Sequence, residues 1–388
     1  MGPDAHAHLL SMHRKGSLPM ARFFGSTRSP SAGCLLFFFA LLWASLFISP
    51  PPGQAAPPQK KPQELVFLNW PDYMDQGLIR KFEKLHGVKV RQVYYETEEE
   101  QVRLLSLTNG KGYDVVLASM VNGLSYLNRK WLAPVDADSV PNIRHIDPAW
   151  RRLAPEFMKH AVPFSWGTMG IVYRKDLVKG EVRGWKDLLA PQEQLRGKIL
   201  MIKDRRDAMV PALKMLGYSV NSTSMAELDV VERTMLAQKP FVKKYGYPSL
   251  DKQSQLVKGD IWMAMVYSGD ALTLQELNKN IAFAFPEEGT SLWLDNLVVM
   301  ASSSKKNLAM DFINFLNEPE NAAQLAEHIF QATPNLAAKK LLSPEHLRNT
   351  IIWPDEKTML GSELYGPLPP RVEKRYNSIF LKTSEGLR

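Results

Sequence analysis

Trp293 and Asp295 stand two apart in the stretch Glu288 to Ser302, and together they are the residue types best suited to hold something charged. The stretch opens on turn residues and runs into the apolar Leu297 to Ala301, the pattern of a loop feeding a buried strand. If the backbone is already extended at Trp293, the two side chains share one face. An indole beside a carboxylate suits an organic cation, because the ring face attracts the charge and the carboxylate accepts its hydrogen bonds. The same residues also read as a core tryptophan beside a turn-capping aspartate. Similar pairs recur: Trp70 and Tyr73 follow the first expected strand, Tyr267 and Asp270 follow a later one, and Asp204 and Asp207 open a helix. Each has an ordinary reading, Trp70 as core and Asp204 as an N-cap with Asp207 at N3, both neutralised by Arg205 and Arg206. Their repeated placement at strand ends links them.

The elements that must position these residues alternate along the chain. Glu64 to Trp70 reads as a strand, and Gly77 to Leu85 as a helix with Leu78, Ile79, Phe82 and Leu85 on one stripe. Val88 to Tyr95 is a second strand, Glu99 to Leu107 a second helix and Tyr113 to Ser119 a third strand. Such βαβ spacing predicts a mostly parallel sheet, with ligands beyond the carboxyl ends of its strands. Val162 to Arg174, with Gly167 and Gly170, is a long extended run suited to crossing between lobes. A second set follows: Trp185 to Leu189, Lys198 to Ile202, a helix from Asp204–Asp207 to Leu216 stopped by Gly217, and strands at Asp260–Tyr267 and Ile281–Phe285. Helices at Leu308–Leu316 and Glu320–Phe330 come after the Leu297 strand. The expectation is two α/β lobes joined by extended crossovers.

At 388 residues the chain exceeds one ordinary core, and 45% hydrophobic with 23% charged residues reads as soluble and globular. Cys34 to Ile48 is apolar but shorter than the ~20 residues that span a bilayer. Arg14, Lys15, Arg22 and Arg28 precede it, and Pro50 to Ala55 follow with small residues. Residues 1–55 therefore read as a signal peptide cleaved near Ala55, with Met12 or Met20 as alternative starts, and 56–63 as a proline-rich leader. The one cysteine, Cys34, falls inside that signal, which excludes thiol and disulfide chemistry from the mature chain. Walker A, G-x-G-x-x-G, G-x-S-x-G and H-E-x-x-H motifs are all missing, and the mature histidines are unpaired at helical spacing. The net charge of +8 is dispersed without the clustered stripe that nucleic acid requires. A cationic ligand must be captured by local carboxylates against the sign of the whole molecule.

From Leu65 to the C-terminal tail the chain resembles the periplasmic polyamine-binding proteins, the spermidine- and putrescine-binding components of ABC importers. The likeness lies in Asn69-Trp70-Pro71-Asp72-Tyr73, Tyr113-Asp-Val-Val, Pro163-Phe-Ser-Trp166-Gly, Trp185-Lys-Asp-Leu, Leu216-Gly-Tyr-Ser, Tyr267-Ser-Gly-Asp270, Pro286 to Asp295, Ile313-Asn-Phe-Leu and Thr333 to Pro344. It implies a two-lobed periplasmic-binding-protein fold of the second type. One lobe combines 62–169 with 294–341, the other 170–293 with 342–388. It also implies a binding protein and not an enzyme, located in the periplasm, without a cofactor or metal.

Carried over by position, Trp70 and Tyr73 resemble an aromatic wall and Ser119 a polar contact. Asp204 resembles an amine-binding carboxylate, Asp207 stands where spermidine binders have Glu, and Ser249 resembles a hydroxyl contact. Tyr267 replaces a more usual Trp, Asp270 is typical of the putrescine branch, and Trp293 and Asp295 match the central indole and the carboxylate facing an inner nitrogen. Val121 and Gln331 fall where tyrosines are usual, Pro71 where Ser or Thr is common, and Tyr365 where a spermidine binder has Gln. The implied ligand is a polyamine, and the count of separated acids, Asp204, Asp207 and Asp295, favours a triamine over a diamine, against the putrescine-type Asp270 and the missing tyrosines at Val121 and Gln331. The implied partner is an ABC permease for import or, alternatively, the periplasmic domain of a membrane sensor.

Overall fold

A computed structural model describes residues 62–387, so the expected signal peptide and all of the leader except Pro62 and Gln63 lie outside the described residues. The chain begins with β1 (Glu64–Asn69), α1 (Gln76–His86), β2 (Lys89–Tyr94), α2 (Glu98–Leu107), β3 (Val115–Ser119) and α3 (Met120–Asn128). Local chemistry sets these boundaries. Asp75 caps α1 by accepting from the Gly77 amide at 2.6 Å, and Gly87 ends it in the left-handed region at φ 66°. Thr97 caps α2 through the Glu100 amide, and Ser119 caps α3 through the Asn122 amide. Leu65, Phe67 and Leu68 of β1 are fully buried, as a strand covered on both faces requires.

The remaining strands are β4 (Ala161–Arg174), β5 (Ile199–Met201), β6 (Val242–Tyr245), β7 (Met263–Tyr267), β8 (Ile281–Ala284), β9 (Ser291–Val299) and β10 (Glu363–Leu364). Their order is β2-β1-β3-β9-β4-β7-β5-β6, with β10 added to β9 and β8 to β4. The parallel expectation holds toward both ends: β1 runs parallel to β2 and β3, and β5 parallel to β6 and β7. The antiparallel pairings collect on two central strands, β9 against β3 and β4, and β4 against β7 and β8.

Strand β4 passes from one core to another. Val162 and Phe164 pack with Leu65, Phe82 and Phe312, whereas Met169 and Ile171 pack with Trp185, Leu213 and Phe380. Gly167 and Gly170 sit at this passage because aromatic rings lie on the backbone there. A Cβ would approach the Trp293 ring to 2.5 Å at Gly167 and the Phe283 ring to 2.4 Å at Gly170. The chain returns late to β1 and β3, since Ile352 is buried in a further core with Leu68 and Val116 and Trp353 meets Trp166 at 5.7 Å.

Three expectations move. Strand β9 starts at Ser291 and not at Leu297, so Trp293 and Asp295 lie inside the ladder. Asp260 to Trp262 stay outside β7. The helix after Asp204 begins as a 3-10 turn, Asp207–Met209, and continues from Val210 to Met215. Among the described residues no helix is long and apolar enough to cross a membrane.

Gly289, at φ 84°, turns the chain into β9, its carbonyl accepts from the Trp185 indole at 2.8 Å, and a Cβ there would lie 1.9 Å from the Gly361 carbonyl oxygen. Gly289→Ala is therefore expected to destabilise the protein by more than ~1 kcal/mol in urea titration. An unchanged midpoint and slope would contradict this account of the turn.

Candidate functional site

Asp295 occupies the middle of β9, hydrogen-bonded into the sheet on both sides, where it stands opposite Ser119 of β3 and Ser165 of β4. It is 5% exposed, and no donor among the described residues reaches its carboxylate. Burial alone pushes its pKa up to about 7. Ser165 is buried with an unpartnered hydroxyl beside it in the register. Trp293 lies two residues earlier on the same face. Its indole rests on Gly167, donates to the Thr168 carbonyl at 3.3 Å, and meets the Tyr267 ring edge-on at 6.2 Å.

The segment after β5 brings the next two acids. Asp204 caps its own turn, accepting from the amides of Arg206 at 2.9 Å and Asp207 at 3.2 Å. Asp204 thus closes a turn ahead of the helix and is not its N-cap, with Asp207 the first helical residue and not N3, and burial followed by the Asp207 charge holds the Asp204 carboxyl well above the usual range. Asp207 accepts two phenols, Tyr267 at 2.6 Å and Tyr365 at 2.5 Å. Burial raises its pKa while those two bonds lower it. The tyrosine at 365 thus reaches the shortened aspartate. Arg206 stacks 4.5 Å from the Tyr365 ring and donates Nη1 to the Gly366 carbonyl and Nη2 to Asn221, while its buried Nε has no partner. Arg205 does not neutralise these acids, because it turns to Glu99 at 2.5 Å and Asn377 at 2.5 Å.

A third acid, Asp270, follows β7 in the first turn of the helix Ser268–Leu277. Tyr247 donates to it, and burial, opposed by that bond, puts its pKa at about 6. Tyr73 is half-buried against the same region. Its phenol is pushed up first by burial and then by the Asp295 and Asp270 charges, and the Gln331 side chain meets it. Gln331 keeps a buried Oε1 without a partner. Trp70 is half-buried, 6.4 Å from Tyr73 and 4.2 Å from Tyr95.

Most of the expected residues therefore converge, linked by contact or register. Ser249 does not join them: it is exposed in the loop after β6, and Tyr247 in the same loop makes the contact with Asp270. Ser119 does converge, but its hydroxyl is used, capping α3 and donating to Glu98 at 2.9 Å. Glu98 and Tyr247 were missed. Both sit within a few residues of a strand's carboxyl end, the one signal that could have found them.

Glu98, Asp204, Asp207, Asp270 and Asp295 and the rings of Trp70, Tyr73, Tyr267 and Trp293 are thus linked by contact, register or charge into one acidic, aromatic-lined chamber. Among the described residues no His, Cys, Asp and Glu cluster is shaped for a metal ion. The chamber suits an organic cation with apolar stretches between its charges.

Comparison with known proteins agrees in both sequence and shape. The chain is 30% identical over 302 residues to the spermidine/putrescine-binding periplasmic protein of Escherichia coli strain K12, covering 77% of this chain and 85% of that one. It is 28% identical over 298 residues to the norspermidine sensor of Vibrio cholerae, covering 76% and 82%. The crystal structure of the spermidine/putrescine ABC transporter substrate-binding protein PotD from Streptococcus pneumoniae superposes with a TM-score of 0.72 at 28% identity, over 84% of this chain and all of that one. The family model for bacterial extracellular solute-binding proteins matches residues 77–349, which takes in both central strands and every acid of the chamber, and the chain belongs to that family.

Proposed function

We propose that the protein captures a linear polyamine in the chamber around Asp295 and delivers it to an ABC permease for import. The observation that carries this reading is the Asp295 carboxylate, 5% exposed and without a donor, two residues along β9 from Trp293, whose ring meets Tyr267 edge-on. A buried carboxylate left alone is costly, and a cation is what removes the cost. Trp70, Tyr73, Tyr267 and Trp293 line the methylenes, while Asp204, Asp207, Asp270 and Asp295 meet the ammonium groups. Ser119, Gln331 and Tyr365 serve as polar supports.

Capture proceeds by closure of two lobes, 62–169 with 294–341 and 170–293 with 342–388. The passage of β4 between two cores supports this division, although the packing of Ile352 and Trp353 draws the last crossing toward β10. Export with cleavage near Ala55 fits the periplasmic relatives. The Vibrio cholerae relative, named a norspermidine sensor, favours a second reading in which the closed form docks on a membrane receptor. Loss of labelled polyamine uptake on gene deletion supports import, and unchanged uptake supports sensing.

Three measurements test the chamber. Asp270, Asp295 and the Asp204–Asp207 pair come from three separate stretches, so they suit three amines better than two. Calorimetry at one salt concentration is expected to show a triamine binding at least about tenfold tighter than putrescine, roughly 1.4 kcal/mol. Putrescine equal to every triamine refutes it. Asp295→Asn is expected to cost roughly 3–5 kcal/mol of binding. Asp207→Asn should cost less, because two phenols already satisfy its oxygens and the Arg206 charge already favours its ionised form; equal losses contradict this ordering.

The pH dependence follows from the raised acids. Asp270 at about 6 and Asp295 at about 7 are partly protonated in the free chamber and must give up those protons to meet ammonium groups. Binding therefore releases protons and strengthens as pH rises from 5.5 to 7.5, estimated roughly from linkage. Titration in buffers of different ionisation heat reads the proton count directly, and proton uptake would overturn the assignment.

A further inference from the structure

The run Glu96 to Glu100 contains four glutamates around Thr97 at the start of α2. Three are accounted for. Glu96 pairs with Lys203 at 2.9 Å and Glu99 with Arg205 at 2.5 Å. Glu100 accepts from the Glu96 amide at 2.9 Å and lies 3.5 Å from Arg103. Glu98 points elsewhere. Its Oε2 accepts from the Ser119 hydroxyl at 2.9 Å and from the Asn122 side-chain amide, while no donor among the described residues reaches Oε1. Ser119 is the register partner of Asp295 across β3 and β9, so it holds the Glu98 carboxylate beside Asp295.

A structural role does not explain this placement. The start of α2 is already capped by Thr97, and an acid there for the helix dipole alone would need no contact with β3, whereas Glu98 accepts from Ser119 at the end of that strand. Glu98 instead is partly buried, and the charges acting on it, Asp295, Asp204 and Asp207, are of its own sign. The lysine and arginine nearest in this region, Lys203 and Arg205, are taken by its neighbours. An open carboxylate oxygen next to a donorless carboxylate describes two acceptors that lack a shared donor.

We propose that Glu98 contacts the ligand directly and, with Asp295, grips the two N–H bonds of one inner secondary ammonium, thereby setting the preference for triamines over diamines. This rests on the polyamine reading above. A secondary ammonium presents two N–H bonds, matching two carboxylates on adjoining strands and helices, whereas the ends of the ligand meet Asp270 and the Asp204–Asp207 pair. A diamine has no inner nitrogen, and only its methylenes can lie between Glu98 and Asp295.

Calorimetric titration of the mature chain with spermidine and putrescine tests it, comparing wild type with Glu98→Gln and Glu98→Asp. Glu98→Gln is expected to lose at least about tenfold in spermidine affinity and less than about threefold in putrescine affinity, with Glu98→Asp between. The melting temperature of ligand-free Glu98→Gln should equal or exceed that of wild type, because a charge among like charges is removed. If wild type binds neither amine, the polyamine reading falls and this inference with it. If wild type binds and both variants keep its spermidine-to-putrescine ratio, Glu98 is not the discriminating contact and the polyamine reading stands.

Discussion

The structure is organised around a carboxylate held where it has no partner. Asp295 cannot turn outward to find water, because β9 is laddered to β3 on one side and to β4 on the other. Leaving the site would break backbone hydrogen bonds to both strands, and those are costly to lose when buried. The sheet thus enforces an unfavourable desolvation that raises the Asp295 pKa to about 7, and surrounding groups inherit the consequence. After their own burial, Asp295 is the charge that acts most strongly on both Tyr73 and Glu98.

The acids at the two ends are treated differently from the one in the middle. Asp207 is held by Tyr267 and Tyr365, and Asp270 by Tyr247. A neutral phenol fixes a carboxylate in place without cancelling its charge, so these ends stay negative and oriented. Arg206 is the near exception. It lowers the Asp207 pKa, yet stacking on Tyr365 and bonds to Asn221 and Gly366 keep its guanidinium directed away from Asp207's oxygens. A chain carrying +8 overall therefore keeps an acidic interior by placing its cations in stacked or paired positions.

How much of this was legible follows the range of each interaction. The alternation from Glu64 to Ser119 was readable, since helical stripes and strand runs are local patterns, and the structure matches it within a residue or two. Trp293 and Asp295 were placed on one face, but β9 was expected to begin at Leu297. Its first half is buried by partners far away in sequence and shows little apolar run of its own. Glu98 was invisible for a related reason. Acids at a helix start are explained by the dipole, and only the fold reveals that one of the four faces Asp295. Ser249 shows the reverse failure, because a match by position ignored that Tyr247 of the same loop occupies the inward place.

The same short segments that supply acids to the chamber also join its two sides. Glu96 and Glu99 reach Lys203 and Arg205, so residues after β2 meet residues after β5 at 2.9 Å and 2.5 Å. These pairs are partly exposed, and such pairs contribute only about 0–1 kcal/mol each. Against them stands repulsion between Glu98 on one side and Asp204 and Asp207 on the other, in a poorly solvated space where charges act strongly. Without a cation, drawing the segments together is opposed from inside and weakly favoured from outside. A polyamine between them reverses the sign of the interior contribution, and the rim pairs then add to it. Under the proposed function this makes closure conditional on charge, because the groups that recognise the ligand are the ones that resist closing without it.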